Sequence, residues 1–600
     1  MAIRPVPMYL RDAIFEPRPD GSLLVRRTEP LGPYPSRLTE RLEHWAARAP
    51  ERVFLARRAG ESWHRVSYAR ALEAACAIGQ ALLDRGLSLT RPVLILSGNG
   101  IEHGLLSLAC LHVGVPFVPV SPAYSLVATD FARLRDIAAL VQPGLIFAED
   151  GARYAAAIRA CAPGDAEVVI ARGDPGVPAT PFDALLDTTP TSAVKSATAA
   201  VHPGTVAKLL FTSGSTGVPK AAINTHGMLW STAQVMRTCC PALIEEPPVL
   251  VDWLPWHHVL GGNVNFGLTL FDGGTLYIDD GKPVRSQIEE TVRNLREVAP
   301  LFYFSVPKGY EELLPWLRRD RRLRESFFSR VRLLHYAGAS IAQPVCDAID
   351  QLAMETVGEC IQWVTTLGST EAGGIAQCWH SEVAGAGNVG LPLPGVTLKL
   401  TPTDGKMEAR VRSPSVTPGY WRREDLTSAA FDEEGFLRTG DALDWVDAGN
   451  PQSGFRYAGR IAEDFKLATG TWVRVGPLRT RLLEHLAPEV QDVVIAGENR
   501  NYVAVLALAS APGLAEDSEV RERLRARLAS LAAEATGSAQ RVLRFALLDG
   551  RQLSLDAGDL TDKGTLSQRN ILRNHPEWIE ELYADFPPGH VISLTEAVAA

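Results

Sequence analysis

Apolar residues fall into two patterns that alternate along this chain. Short continuous runs at 93–96, 117–120, 145–147, 168–170, 250–251, 275–278, 301–306, 333–336 and 362–364 read as strands. Longer stretches of helical texture separate them, 101–113 being the clearest. Strand–helix alternation of this kind predicts an α/β fold, layered, with mostly parallel sheets and ligands at the carboxyl ends of strands. Residues 187–200 are small and polar and read as a surface connector. After Arg460 the texture changes: 493–495 and 502–506 form a hairpin pattern, a charged helix starts near Ser518, and 542–548 is a strand. The expected division is a large N-terminal domain, 1–459, and a small mobile α+β lid, 460–600.

Composition narrows the picture. Six hundred residues exceed what one hydrophobic core organises, and 46% hydrophobic with 22% charged residues is ordinary for a soluble protein. A net charge of −9 argues against non-specific nucleic-acid binding, and the basic run 318–322 reads as a solvated helix face. Of eight cysteines only Cys239 and Cys240 are adjacent and no CxxC pair occurs, which fits reduced thiols and a cytoplasmic location better than a zinc site or a disulfide framework. The N-terminus lacks an apolar signal core. The longest apolar run, 104–120, is interrupted by His112, Pro116 and Pro119, so it reads as a buried helix and a strand, not a membrane span.

Candidate chemistry begins at Leu209-Leu-Phe-Thr-Ser-Gly-Ser-Thr-Gly-Val-Pro-Lys220. A strand-like run leads into Thr212, Ser213, Gly214, Ser215, Thr216 and Gly217, and Lys220 closes the loop. Glycines let backbone N–H groups converge on an anion, four hydroxyls add donors, and the lysine adds charge, which together make a polyphosphate cradle. The Gly-Lys-Ser/Thr ending of a Walker loop is missing. In Thr365-Thr-Leu-Gly-Ser-Thr-Glu371, Thr370 can donate to a phosphate and Glu371 can hold a hard cation; alone, the run could equally be a helix cap. Gly338 and Ala339 are small enough for backbone to approach a flat ring, although a tight strand-to-helix turn explains them as well. Asp441, in Arg438-Thr-Gly-Asp441, suits a ribose because a carboxylate accepts from two adjacent hydroxyls, and Arg460 supplies a fixed cation.

These runs, collinear from about residue 40 to about 570, resemble the adenylate-forming superfamily: the AMP-binding, acyl-CoA synthetase and luciferase-like enzymes. The resemblance implies ATP, Mg²⁺ and CoA as ligands, with the metal on Glu371 and Thr216. Leu254-Pro-Trp-His-His258 is similar to the motif whose histidine gates the acyl pocket; its register selects His258, with His257 as the rival. Leu367 stands where the family carries an aromatic residue before Gly368, on the adenine side. Ala462 stands at the family's hinge position, and Lys466 keeps the family's spacing from Arg460. In the near-C-terminal lysine region, Lys563 is the choice, while strict register gives Thr565 or Leu566. Catalysis is thus expected of Lys563, His258 and Lys220. CoA is the expected thiol because the chain ends soon after the lid. The texture is most like bacterial feruloyl-CoA synthetases, and Trp253, Trp256, Phe302 and Phe304 either line a flat pocket or belong to the core. The alternatives are a fatty acyl-CoA synthetase, an acyl-AMP ligase that loads a carrier protein, and a non-catalytic nucleotide-binding regulator. Expected partners are the small acid, ATP and CoA, without nucleic acid or a membrane span; a homodimer is left open.

Overall fold

Each of the apolar runs is a strand, and in the large domain they sort into three sheets. The computed structural model describes residues 2–7, 12–212, 219–241, 245–379, 387–561 and 564–594. A seven-stranded sheet runs in the order Lys220–Thr225, Val206–Thr212, Phe117–Pro119, Val93–Ile95, Leu145–Asp150, Glu167–Arg172, Thr180–Pro181. All its neighbours are parallel except the first pair, which forms an antiparallel hairpin. Its inner strands carry near-continuous apolar residues, as a sheet covered on both faces requires. The helix Ile101–Val113 is buried along almost its whole length and ends on Gly114, whose φ of 73° lets its N–H reach the Cys110 carbonyl.

The parallel expectation fails for the largest sheet. Of its eleven strands only Phe302–Ser305, Leu333–Ala337 and Gln362–Ser369 are parallel neighbours. The rest, including Thr397–Thr403, Lys406–Arg412, Leu437–Trp445 and Phe455–Arg460, pair antiparallel. Thr397–Thr403 and Lys406–Arg412 are joined by a two-residue turn, a connection open only to antiparallel neighbours, while Arg412 leads to Leu437 through a longer segment that holds the helix Glu424–Ala430. A third sheet of four strands packs Val249–Asp252, Thr275–Ile278, Val53–Ala59 and Ser62–Ser67.

The expected connector at 187–200 is also corrected. Its second half is a helix, Ser192–Ala200, with Thr191 Oγ1 accepting from the Ala193 N–H at 3.2 Å, and with Val194 and Thr198 buried. Gln80 fixes the cap by accepting from both the N–H and the hydroxyl of Thr191 at 2.9 and 2.7 Å. Alanine-rich sequence is strong helix former, and its small residues mimic a linker only in composition.

In the small domain the hairpin Val490–Ala496 and Val503–Ala509 joins Val542–Leu548 and Val591–Ser593 in one sheet. Alternation along the strands serves two faces. Val493, Ile495 and Val505 meet the helices Val475–Leu486 and Ser518–Ala533, while Val494 and Leu506 meet Gln568–Asn574 and Pro576–Tyr583. Polar contacts tie the domains. Buried Asp464 is held by Lys406 and Arg474, and Asp556 accepts from the Thr129 N–H and hydroxyl at 2.9 and 2.7 Å. Among the described residues no helix is long and apolar enough to cross a membrane.

Candidate functional site

The loop strand Val206–Thr212 turns back as Lys220–Thr225, and register pairs Thr212 with Lys220 at the mouth of the hairpin. Ser213, Gly214, Ser215, Thr216 and Gly217 lie outside the described residues, so the structure places the two posts of this loop. The segment Gly419-Tyr-Trp421 adds to the hairpin's outer edge: Ile223 N–H donates to the Gly419 carbonyl at 3.0 Å and Trp421 N–H to the Ala221 carbonyl at 2.8 Å. That pairing brings the Tyr420 ring 5.7 Å from the Lys220 ammonium. The Tyr420 hydroxyl donates to Glu371 Oε1 at 2.9 Å, and the Glu371 carbonyl accepts from the Thr417 N–H at 2.7 Å. Lys220, Tyr420 and Glu371 therefore form one group. Burial and the Glu371 charge push the Tyr420 phenol well above its ordinary range, so it is a donor at every working pH. Sequence reasoning missed this tyrosine, because its role depends on Glu371, 49 positions away in the chain.

Only glycine fits at 419. Its φ is +145°, and a Cβ there would sit 2.4 Å from Thr427 Cγ2. We expect Gly419→Ala to cost about 3 kcal/mol, combining backbone strain with overpacking. A fall in Tm, together with loss of nucleotide affinity as Tyr420 leaves Lys220, checks this.

Glu371 follows the strand Gln362–Ser369, which is longer than the sequence implied. At Gly368 an added Cβ would lie 2.4 Å from the Gly373 carbonyl oxygen, so this strand and its antiparallel partner close tightly under the turn that carries Thr370 and Glu371. Leu367 packs against the main core, and Thr370 is half-buried. On the adjacent parallel strand Leu333–Ala337, whose Ala337 pairs with Thr366, the chain continues into exposed Gly338, φ 84°, and Ala339. Both runs thus sit at carboxyl ends of neighbouring strands, where α/β sheets gather ligands.

Asp441 and Arg460 are register partners on adjacent antiparallel strands. Arg460 Nε lies 3.5 Å from Asp441 Oδ1, and the Tyr457 hydroxyl donates to the same oxygen at 3.3 Å. Burial pushes the Asp441 carboxyl above its usual range, Arg460 and Tyr457 pull it back, and Glu463 and Glu371 raise it again. The influence of Glu371 brings the phosphate-side and Asp441 groups within electrostatic reach of each other.

The remaining residues are more dispersed. His258 is half-buried, its carbonyl accepts from the Gly262 N–H at 2.8 Å, and its ring stands 4.2 Å from that of His257. Trp256, Phe302 and Phe304 are buried core residues, and Trp253 packs partly buried against them. The Lys466 ammonium lies 5.0 Å over the Trp472 ring in the small domain. Lys563 lies outside the described residues.

With this geometry in hand, the model of the AMP-binding enzyme matches residues 42–421, and that of the AMP-binding enzyme C-terminal domain matches 464–587. The chain belongs to the AMP-binding enzyme family. It is 28% identical over 429 residues to a carboxylic acid reductase of Mycobacterium marinum, covering 67% of this chain and 35% of that one. It is 28% identical over 403 residues to an anthranilate–CoA ligase of Pseudomonas aeruginosa, covering 65% of this chain and 71% of that one. The chain therefore spans about a third of the reductase it matches. In three dimensions it is similar to the A domain of carboxylic acid reductase from Segniliparus rugosus in complex with AMP and a co-purified carboxylic acid, with a TM-score of 0.72, 20% identity and coverage of 92% and 94%. That likeness concerns the fold.

Proposed function

We propose that this protein activates a carboxylic acid with ATP and transfers the acyl group to the thiol of CoA, with ferulate or a related hydroxycinnamate as the acid. The observation that carries the reading is the meeting of Lys220, Tyr420 and Glu371 at the mouth of the 212–220 hairpin, within electrostatic reach of Asp441 and Arg460. A carboxylate repels nucleophiles, so its oxygen first attacks the α-phosphorus of ATP; the bond to the outer phosphates breaks, giving acyl-AMP and pyrophosphate. The CoA thiol then loses its proton and attacks the acyl carbon, and AMP leaves.

In this reading Lys220, with Thr212 and the loop to Gly217, carries the outer phosphates. Gly338, Ala339, Leu367, Gly368 and Thr370 border the adenine and phosphates, Asp441 accepts from the ribose hydroxyls, and Arg460 and Lys466 supply cations. His258 stands beside the acid, and Lys563 bridges carboxylate and α-phosphate. Tyr420 occupies one Glu371 oxygen. Mg²⁺, which takes phosphate oxygens, waters and one or two carboxylates, fits a half-exposed Glu371, Thr216 is the proposed second holder, and the ion's charge would offset that of the phosphates. Bringing anion to anion makes positioning and charge neutralisation the main catalytic terms. Alternation of the small domain, 460–600, about the Ala462 region would serve the two half-reactions in turn.

The match to an anthranilate–CoA ligase supports CoA as acceptor, whereas the reductase match favours the second reading, an acyl-AMP ligase that serves a carrier. AMP release with and without CoA, across ferulate, coumarate, benzoate and fatty acids, separates the two. The proposal expects CoA-dependent release that is greatest with a hydroxycinnamate; release indifferent to CoA contradicts it.

A further inference from the structure

Lys208 is buried to 2% exposure on the strand that carries Thr212, and register puts both side chains on one face of the sheet. Its ammonium donates to the Gly262 carbonyl at 3.0 Å and stands 5.6 Å from the Phe117 ring. One acceptor leaves most of the donor capacity of an ammonium facing a small recess of about 20 Å³. Among the described residues no carboxylate lines that recess. Burial drives the Lys208 amine down to about 7, so the group is both costly and responsive to whatever enters.

The recess has further unmet polar groups. Trp256 Nε1 and Asn263 Oδ1 are buried without a hydrogen-bond partner among the described residues, although the Asn263 amide nitrogen donates to Asn224 at 2.8 Å. His103, across from Trp256, binds the Gly98 carbonyl through Nδ1 at 2.9 Å, and burial lowers it to about 4, so it is a neutral ring. Two of the segments that line it carry these polar groups: Trp256 belongs to the Leu254-Pro-Trp-His-His258 motif, and Gly262 and Asn263 belong to the π-helix Leu260–Asn265. Added Cβ atoms at Gly261 and Gly262 would stand 2.3 and 2.1 Å from the Leu254 and Trp256 carbonyl oxygens, so these two segments are locked together. A volume of this size admits one water or one substituent oxygen and excludes a ring.

We propose that Lys208 forms a one-oxygen subsite that reads an acceptor oxygen on the acid remote from its carboxylate, the phenolic oxygen of a hydroxylated aromatic acid. This rests on the acid-activating function proposed above and adds a specificity residue to it. The ammonium donates to the phenolic oxygen, the Trp256 indole N–H is a second donor at the same recess, and Asn263 Oδ1 accepts the phenol proton. An acid lacking that oxygen leaves these groups unmet, which sets the discrimination.

The test compares acid-dependent pyrophosphate release by the full chain with 4-hydroxycinnamate and with cinnamate, two acids that differ by one oxygen. The wild type is expected to favour 4-hydroxycinnamate in kcat/KM by roughly 10- to 100-fold, the range for a hydrogen bond to a charged group. Lys208→Met, which keeps the volume and removes the donor, is expected to bring that ratio near unity. Lys208→Gln, which keeps a donor, is expected to give an intermediate ratio and decides the matter if the methionine variant does not fold. A wild-type ratio near unity, or a ratio that both variants leave intact while rates fall equally for the two acids, overturns the subsite and assigns Lys208 a packing role. Pyrophosphate release from neither of these acids nor from benzoate or fatty acids overturns the acid-activating function itself, and the subsite with it.

Discussion

Asp441→Ala is expected to lower kcat/KM for ATP by on the order of 10²–10³, mostly through KM, because the two charge-assisted hydrogen bonds proposed to the ribose vanish and the ion pair with Arg460 is lost. The same variant is expected to slow thioester formation from supplied acyl-AMP, since the adenylate keeps its ribose. Asp441→Asn preserves shape but loses the charge, and a smaller loss, about tenfold, is expected. Titration of nucleotide affinity adds a pH signature. Burial raises the Asp441 carboxyl above the usual range, so the acceptor form is present at high pH and is lost as pH falls through that raised value, earlier than for an ordinary aspartate. Affinity of the asparagine variant should show no such step. Equal ATP affinity in wild type and Asp441→Ala, by calorimetry, would remove this residue from the site.

Lys563→Ala is expected to separate the two half-reactions. Adenylation is expected to fall by on the order of 10²–10³, the loss that follows removal of one positioned donor at developing charge. Thioester formation from supplied acyl-AMP should persist, because no α-phosphate bond to pyrophosphate is broken in that half. Separate assays of pyrophosphate release and of thioester formation read the two rates. Unchanged adenylation would remove Lys563 from this role.

What the sequence disclosed and what it withheld divide along physical lines. Strand runs such as 93–96 and 145–147 were legible because a doubly covered strand is apolar along its length, whatever it packs against. The Asp441–Arg460 pair was legible as two residues but not as partners, since a register across a hairpin is set by turns and bulges rather than by either residue. The helix Ser192–Ala200 was hidden because its amphipathic signal is two residues, Val194 and Thr198, and its cap depends on distant Gln80. The antiparallel run of the largest sheet was hidden because alternation of strands and helices describes the first half of the chain and not 373–460. Tyr420 and Lys208 could not be read at all: one acts through Glu371, 49 positions away in sequence, and the other is a lysine in an apolar strand whose meaning lies in what surrounds it.

The central claim is that a lysine-closed, hydroxyl-rich hairpin and the Asp441–Arg460 pair hold ATP so that an acid can be joined to its α-phosphate. Exchange of labelled pyrophosphate into ATP tests it most directly, because only a reversible acid adenylation produces the label. Exchange that requires both Mg²⁺ and a carboxylic acid, needs no CoA, and is depressed in Asp441→Ala is the outcome expected; absence of exchange with every acid from benzoate and hydroxycinnamates to fatty acids would contradict it.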